Sequence, residues 1–166
     1  VLANIAASNG YEVCLWVRDA EQALRINSEG ANSTYHPELK LSENITASED
    51  LTSAVKNSDY ILVATPSNIF EEVISRLEPL ISSSVAVISC TKGVKSDPFR
   101  TMTDVINQHL GRLIGKKFGV LSGPNLAKEI AENKLAGTVI ASEFDEVNSE
   151  ITVSYTHLRA HETVAN

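Results

Sequence analysis

Residues 60–77 decide the fold of this chain and read YILVATPSNIFEEVISRL. The first part, from Tyr60 to Thr65, is a short apolar run rich in β-formers, which predicts a strand buried on both faces. Apolar residues then recur at steps of three and four along one stripe, namely Ile69, Phe70, Val73, Ile74 and Leu77. This spacing is typical of a helix whose apolar face packs on a sheet. The stretch therefore predicts one strand followed by the helix that covers it.

The same alternation extends in both directions from this unit. Further strands are predicted at Tyr11–Val17, Asn44–Ala47, Val85–Cys90, Phe118–Ser122 and Thr138–Ala141, the second of them from a weaker pattern. Helices are predicted over residues 1–7, 49–57, 97–110 and 124–133. Strands that alternate with helices imply right-handed crossovers. The predicted fold class is therefore α/β, with a doubly wound parallel sheet.

Two segments depend on capping and turn residues rather than on periodicity. For the helix over 97–110, Asp97 is the expected N-cap, Pro98 the first helical residue and Gly111 the stop. Asn27–Glu43 carries Asn, Ser, Gly, Pro and Tyr without a clean period. We expect a long irregular connection there.

Composition limits the class of protein. The chain has 166 residues, 43% of them apolar, which is enough for one ordinary core and too little for two comfortable domains. The net charge is −7 and acidic residues are scattered among Lys and Arg, so no basic surface for nucleic acid is expected. No apolar run approaches the roughly 20 residues that span a bilayer, and no secretory signal is recognisable. These features favour a cytoplasmic protein without membrane insertion.

Cysteine usage gives no sign of a metal site. Cys14 and Cys90 both lie in predicted strands and are not spaced as metal ligands. Each is expected to be a small buried residue.

Polar residues follow two predicted strands at the carboxyl edge of the sheet, where open parallel sheets bind ligands. Lys92 follows an apolar strand and precedes Gly93, so its ammonium suits an anionic ligand, while a solvated surface lysine is the alternative. Residues 122–125 form a strand-to-helix turn. The free N–H groups after Gly123 either bind an anion or polar ligand, or are simply capped.

Two further residues border the same kind of edge. Arg18 closes the strand Tyr11–Val17, where a cation can pair with the extra phosphate of NADP. A plain surface ion pair with the adjacent Asp19 is the alternative. Pro66 turns the chain out of the strand that begins at Tyr60.

Four segments carry a resemblance when they are taken in order. They are Leu15–Asp19, Ala64–Phe70, Ser89–Val94 and Ser122–Glu129. Together they resemble the bacterial glycerol-3-phosphate dehydrogenases, over residues 1 to about 142. The resemblance implies a Rossmann-like domain that binds NADP or NAD. It also implies reversible hydride transfer between NAD(P)H and dihydroxyacetone phosphate, which gives sn-glycerol 3-phosphate for glycerophospholipid synthesis.

The resemblance implies roles for individual residues. The expected cofactor-binding residues are Arg18, Pro66, Lys92 and Ala127, and the expected substrate-binding residues are Lys92, Gly123 and Asn125. Asn125 stands where Ser or Thr is usual, which keeps a polar side chain but alters its hydrogen bond. No catalytic residue and no metal ligand is expected in this chain, because the family's proton-transfer lysine lies in a following helical domain. Lys128, beside Glu129, is interpreted as a solvated lysine. A homodimer is implied for the complete protein.

Two alternative functions stay open at this point. One is a related dehydrogenase of sugar nucleotides or hydroxyacids that shares the sheet. The other is a nucleotide-sensing domain without catalysis, since a fold alone does not establish chemistry.

The beginning of the chain carries an expectation about the sheet. Helical spacing from Val1 to Ala7 is followed by a stop at Asn9 and Gly10. In a doubly wound sheet, a strand and a Gly-rich turn precede this helix. We expect the printed sequence to lack both, and the isolated chain to be unstable because inner strands would lose backbone partners.

The other end is expected to differ from the rest. The expected division is a partial NAD(P)-binding domain at 1–153 and a non-native or disordered tail at 154–166. His157 and His161 lie four residues apart and could share a helix face as zinc ligands, but no third ligand is near. A tail without a role is favoured.

Overall fold

The computed structural model describes residues 1–123, 129–130 and 137–155. Within these residues the chain forms two compact units. The first is built on Val1–Val55, and the second on residues 56–123 and Thr138–Thr152.

The first unit contains a short parallel strand pair with a helix packed on it. Its elements are α1 (Leu2–Ser8), β1 (Val13–Trp16), α2 (Ala20–Glu29), β2 (Ala31–Asn32), β3 (His36–Lys40), β4 (Ile45–Ser48) and α3 (Leu51–Val55). β1 pairs in parallel with β4, and β2 and β3 form an antiparallel hairpin. Ala23 and Ile26 of α2 are buried in one apolar cluster with Ala47 of β4.

Asn27–Glu43 is more regular than the sequence predicts. It contains the last residues of α2 and the whole β2–β3 hairpin. The helix begins after Asp19, whose carboxylate accepts hydrogen bonds from two N–H groups of the first turn, and ends at Gly30 with φ of 61°. The prediction of an irregular connection was wrong because β2 and β3 are only two and five residues long and mostly polar, so they show no alternation of apolar residues.

The second unit contains a four-stranded sheet. Its elements are β5 (Tyr60–Val63), α4 (Ser67–Leu77), β6 (Ala86–Ser89), β7 (Lys95–Ser96), β8 (Phe99–Arg100), α5 (Met102–Ile114), β9 (Phe118–Ser122), β10 (Val139–Ser142) and α6 (Asp145–Tyr155), of which α6 runs past this unit. The strand order is β10-β9-β6-β5. The predicted parallel pairing is confirmed for β5, β6 and β9, whereas β10 runs antiparallel. Periodicity marks a strand without giving its direction, and antiparallel edge strands are common on parallel sheets.

The core of the second unit lies around β6 and the two helices α4 and α5. All four residues of β6 are buried. The predicted stripe of α4 is confirmed, since Phe70 and Ile74 have no exposed surface, and Ile106 and Leu110 of α5 are equally buried. Each such side chain contributes roughly 1.5–3 kcal/mol by leaving water. The sheet therefore has a rigid apolar backing.

Helix α5 begins later than the sequence predicts. The N-cap is Thr101, whose hydroxyl accepts from the Asp104 N–H at 3.1 Å, while the Asp104 carboxylate accepts from the Thr101 N–H at 2.8 Å. This reciprocal pair satisfies two N–H groups at once. Asp97 and Pro98 instead form the turn between β7 and β8, joined by a cis peptide bond. Gly111 lies inside the helix, which ends at Gly115.

The two cysteines differ in exposure. Cys14 is exposed, so the expectation of burial was wrong for it, because alternate residues of a strand face opposite ways and Leu15 takes the side toward the apolar cluster. Cys90 is half-buried, and burial raises the pKa of its thiol to about 12.

Helix α6 crosses the boundary expected at residue 153. It continues to Tyr155, which is buried and whose hydroxyl donates to the Leu2 carbonyl oxygen at 3.5 Å. His157 and His161 lie outside the described residues, and the division into 1–153 and 154–166 stays a prediction. Among the residues that the structure describes, no helix has the length and apolar character needed to cross a membrane. The same residues contain no group of three or more side chains that could hold a metal ion.

Gly119 of β9 leaves room for β10. A Cβ at this residue would lie 2.7 Å from the Ala141 carbonyl oxygen and 3.0 Å from Ser142 Cβ. Because the obstructing atoms include the backbone of the paired strand, we expect Gly119→Ala to lower the free energy of unfolding by about 1–3 kcal/mol. Urea denaturation of the purified protein measures this.

Gly111→Ala is the matched control. A Cβ there would contact the amide oxygen of Asn107, an exposed side chain that can rotate into solvent. Because alanine is favoured over glycine in a helix by roughly 1 kcal/mol, no loss is expected. An equal loss in both variants would contradict a specific clash between β9 and β10.

Candidate functional site at the carboxyl edge of the sheet

Three strand ends of the second unit lie at one level. The in-register row consists of Val63 of β5, Ser89 of β6 and Val120 of β9. Pro66, Lys92 and Gly123 each come three residues beyond this row. Since neighbouring parallel strands are about 4.8 Å apart, the three residues leave the sheet at one edge. This is the edge at which open α/β sheets bind ligands.

Pro66 begins the exit from β5. It is exposed and stands as the residue before α4, with φ of −56° and ψ of 145°. Phe70, one turn into the helix, is completely buried, which agrees with its interpretation as a packing residue. The exposed part of this exit is therefore Pro66 and the first turn of α4.

Thr91 anchors the exit from β6. Its buried hydroxyl lies 2.8 Å from the Thr65 carbonyl oxygen and 3.2 Å from that of Val63, while its N–H donates to the Ser89 hydroxyl at 3.3 Å. Sequence reasoning missed Thr91. The available signal was a polar residue between the end of an apolar strand and Lys92.

Lys92 and Gly93 follow this anchor directly. The Lys92 side chain is exposed at the sheet edge, as a residue that meets a soluble anion must be. Gly93 has φ of 108°, a conformation that side chains rarely allow, and a Cβ on it would lie 3.7 Å from Ser67 at the start of α4. The backbone therefore bends sharply after Lys92 and passes close to α4.

Gly123 ends the described part of the third exit. It has φ of 149°, which glycine adopts without strain, and it is half-buried. Asn125, Ala127 and Lys128, for which roles were considered from the sequence, lie outside the described residues. The structure thus places Pro66, Lys92 and Gly123 at one edge of the sheet. The predicted contacts of Asn125 and Ala127 stay predictions.

A cluster of charged side chains lies beside the same edge. The Glu71 carboxylate of α4 accepts from the Lys95 ammonium of β7. It also lies 3.0 and 3.1 Å from Arg100 Nη2 of β8 and 3.2 Å from His109 Nε2 of α5. These hydrogen bonds lower the pKa of Glu71 from 4.5 to about 2. The hydrogen bond from Lys95 has the largest effect, and the one from His109 has the next largest. One carboxylate therefore joins three elements, which sequence reasoning did not foresee.

Arg18 lies in the first unit, two residues after β1. Its side chain is exposed. The carboxylate of Asp19 is engaged as the cap of α2, where it accepts from the Glu21 N–H at 2.8 Å. No ion pair joins Arg18 to Asp19 among the described residues, so the alternative of a surface pair is not supported. Trp16 is half-buried, and its indole N–H donates to the Glu49 carbonyl oxygen at 3.0 Å.

Known sequences match most of the chain. Residues 1–148 match the family model described as NAD-dependent glycerol-3-phosphate dehydrogenase N-terminus. The glycerol-3-phosphate dehydrogenase (NAD(P)+) of Teredinibacter turnerae is 41% identical over 146 residues, which cover 88% of this chain and 42% of that protein. That of Acinetobacter baumannii is 44% identical over 146 residues, which cover 88% and 40%. The chain spans about two fifths of the length of these relatives.

A solved structure matches the fold. The crystal structure of glycerol-3-phosphate dehydrogenase from Coxiella burnetii superposes with a TM-score of 0.84 at 29% identity and covers 93% of this chain and 46% of its own. This likeness confirms the Rossmann-like α/β fold predicted from the sequence.

Glu71 makes the stability of the fold depend on pH at the acid end. Because the folded state lowers its pKa from 4.5 to about 2, its contribution is complete above about pH 4.5 and is lost as the pH falls through about 2. We expect the difference in unfolding free energy between the parent protein and Glu71→Gln to shrink as the pH falls from about 4.5 to about 2. Denaturation by urea at a series of pH values measures it.

Glu72→Gln is the control for this series. Glu72 is the adjacent residue on α4 and is exposed. At pH 7 its substitution is expected to change the free energy of unfolding by less than Glu71→Gln does, because the Glu72 side chain is exposed. A Glu71→Gln difference that stays constant from pH 4.5 to 2 would contradict the lowered pKa.

Proposed function

Since the chain belongs to the NAD-dependent glycerol-3-phosphate dehydrogenase family, we propose that the protein carrying it is an oxidoreductase. The proposed reaction is reversible hydride transfer between NAD(P)H and dihydroxyacetone phosphate, which gives sn-glycerol 3-phosphate for glycerophospholipid synthesis. The single observation that carries the proposal is the common level at which Pro66, Lys92 and Gly123 leave β5, β6 and β9.

The substrate and the edge are chemically matched. Dihydroxyacetone phosphate carries a phosphate dianion and a carbonyl group, so its binding needs a cation and hydrogen-bond donors. Lys92 supplies an ammonium at the edge, and the turn that begins at Gly123 supplies backbone N–H groups. In the proposal Lys92, Gly123 and Asn125 bind the substrate.

The cofactor supplies the hydride, and the residues of this chain bind and orient it. In the proposal Arg18, Pro66, Lys92 and Ala127 contact the cofactor. An exposed guanidinium just beyond a strand suits the extra phosphate of NADP, because Arg can bind a phosphate through two hydrogen bonds. This favours NADPH over NADH.

Reduction of the carbonyl also requires a proton for the developing alkoxide. In the proposal a lysine outside this chain provides it. A nucleotide-sensing domain would bind the cofactor but would not turn over the substrate, so turnover separates the two functions. The predicted homodimer and cytoplasmic location stay predictions.

Lys92→Ala tests the substrate site. In the protein extended to the length of its relatives, we expect kcat/KM for dihydroxyacetone phosphate to fall by at least about tenfold, because the variant removes a charge that meets an anion. Steady-state kinetics at saturating cofactor measure this. Lys56→Ala, which removes an exposed lysine on the amino-terminal side of β5, is the control and should leave kcat/KM within about twofold. An unchanged value for Lys92→Ala would remove Lys92 from the site.

Arg18→Ala tests cofactor recognition. We expect the KM for NADPH to rise by more than about tenfold and the KM for NADH by less than about twofold, because the extra phosphate loses its cation. Arg25→Ala is the control, since Arg25 is a half-buried arginine of α2 whose guanidinium lies 3.8 Å from the Glu21 carboxylate. If Arg18→Ala raised the KM for NADPH and for NADH by the same factor, Arg18 would not recognise the extra phosphate.

A further inference from the structure

The Lys92 loop, residues 91–94, is held at both of its ends. At the first end the Thr91 hydroxyl is buried against the carbonyl oxygens of Val63 and Thr65 at 3.2 and 2.8 Å. At the second end the loop runs into β7, where the Lys95 ammonium donates to the Glu71 carboxylate. The first attachment is part of the sheet edge, whereas the second depends on a single side chain of α4.

The hairpin that follows the loop has little apolar surface to hold it. β7 and β8 contribute two residues each, with Lys95 opposite Arg100 and Ser96 opposite Phe99. Phe99 is 71% exposed, and hairpins of this size are marginal on their own in water. Opposite residues of a strand pair lie on the same face, which explains why Lys95 and Arg100 both reach Glu71.

Helix α4 meets the loop and the hairpin along one of its faces. Ser67 lies beside Gly93, whose Cβ position is 3.7 Å from the Ser67 side chain. Glu71 comes four residues later, and residues four apart lie on the same face of a helix. The chain from Gly93 to Lys95 therefore runs along the face of α4 that carries Ser67 and Glu71.

We propose that Glu71 is a positioning residue for Lys92. Its carboxylate holds the β7–β8 hairpin against α4 and α5, and so fixes where the Lys92 loop presents its ammonium. This inference rests on the proposed function, in which Lys92 meets the phosphate-bearing substrate. Without the second attachment the loop would sample more conformations, and ordering it on binding would cost free energy.

The charges of the cluster agree with a structural attachment rather than with a second anion site. Lys95, Arg100 and His109 all direct a nitrogen to the same carboxylate, and Arg100 also donates to Gln108. The pKa of Glu71 is lowered to about 2, so the carboxylate stays ionised over the neutral range. The negative charge that holds the Lys95 ammonium is therefore constant near neutral pH.

A double-mutant cycle in the protein extended to the length of its relatives tests the proposal. Glu71→Gln keeps the size of the side chain and removes its charge, and we expect it to lower kcat/KM for dihydroxyacetone phosphate by about fivefold or more. In a Lys92→Ala background the same change should lower kcat/KM by less than about twofold, because no ammonium is left to position. If Glu71 only stabilised the fold, Glu71→Gln would lower kcat/KM by the same factor in both backgrounds.

A second variant covers the case in which Glu71→Gln does not fold. Lys95→Met keeps the length of the side chain, leaves α4 unchanged and removes the attachment of β7. It is expected to lower kcat/KM in the same way, again only when Lys92 is present. Glu72→Gln, on the same helix, is the matched control and should change kcat/KM by less than about twofold.

The outcomes separate this inference from the function on which it rests. Equal losses from Glu71→Gln or Lys95→Met in both backgrounds would overturn the inference alone, and so would losses no larger than that of Glu72→Gln. An unchanged kcat/KM in Lys92→Ala would overturn the proposed substrate site and this inference with it. A loss that depends on Lys92 supports both.

Discussion

Backbone hydrogen bonds between β5, β6 and β9 hold three strand ends at a single level. The pairing is parallel, so every one of these strands releases its chain at the same edge, and the register sets how far each exit lies from the sheet. Pro66, Lys92 and Gly123 occupy equivalent places for this reason. A shift of one strand by one residue would turn its side chains to the other face, and the three exits would no longer match. The site therefore depends on register before it depends on any side chain.

Helix α4 contacts the core with one face and the loop that follows β6 with another. Phe70 and Ile74 point into the core and keep the helix fixed on the sheet, while Ser67 and Glu71 face the loop that follows β6. A rigid apolar contact on one face allows a polar contact on the other to define a position. The helix needs no apolar residue on its loop face, which keeps that face free for charge and hydrogen bonding.

Local pattern was enough to predict part of this arrangement. Residues 60–77 predicted a strand and a helix with the buried stripe that the structure has, and the placement of Lys92 after a strand predicted its position at the edge. The expectation that the strand beginning at Tyr60 is buried on both faces was wrong, because β5 is the last strand in the order β10-β9-β6-β5 and only its Val63 is buried. Thr101 was missed as the cap because Asp97 and Pro98 also satisfy the rules for a helix start, and only the β7–β8 pairing decides between them. Glu71 was missed because its partners come from three other elements. Contacts between distant residues leave no periodic signal in the chain.

The contrast between the two cysteines makes the molecule chemically asymmetric. The thiolate, and not the thiol, reacts with alkylating reagents, and a pKa of about 12 leaves almost no thiolate on Cys90 at neutral pH. Cys14 is open to solvent on β1. A maleimide fluorophore would therefore attach selectively to Cys14, and a single reporter could be placed close to Arg18 in sequence without first removing the other sulfur.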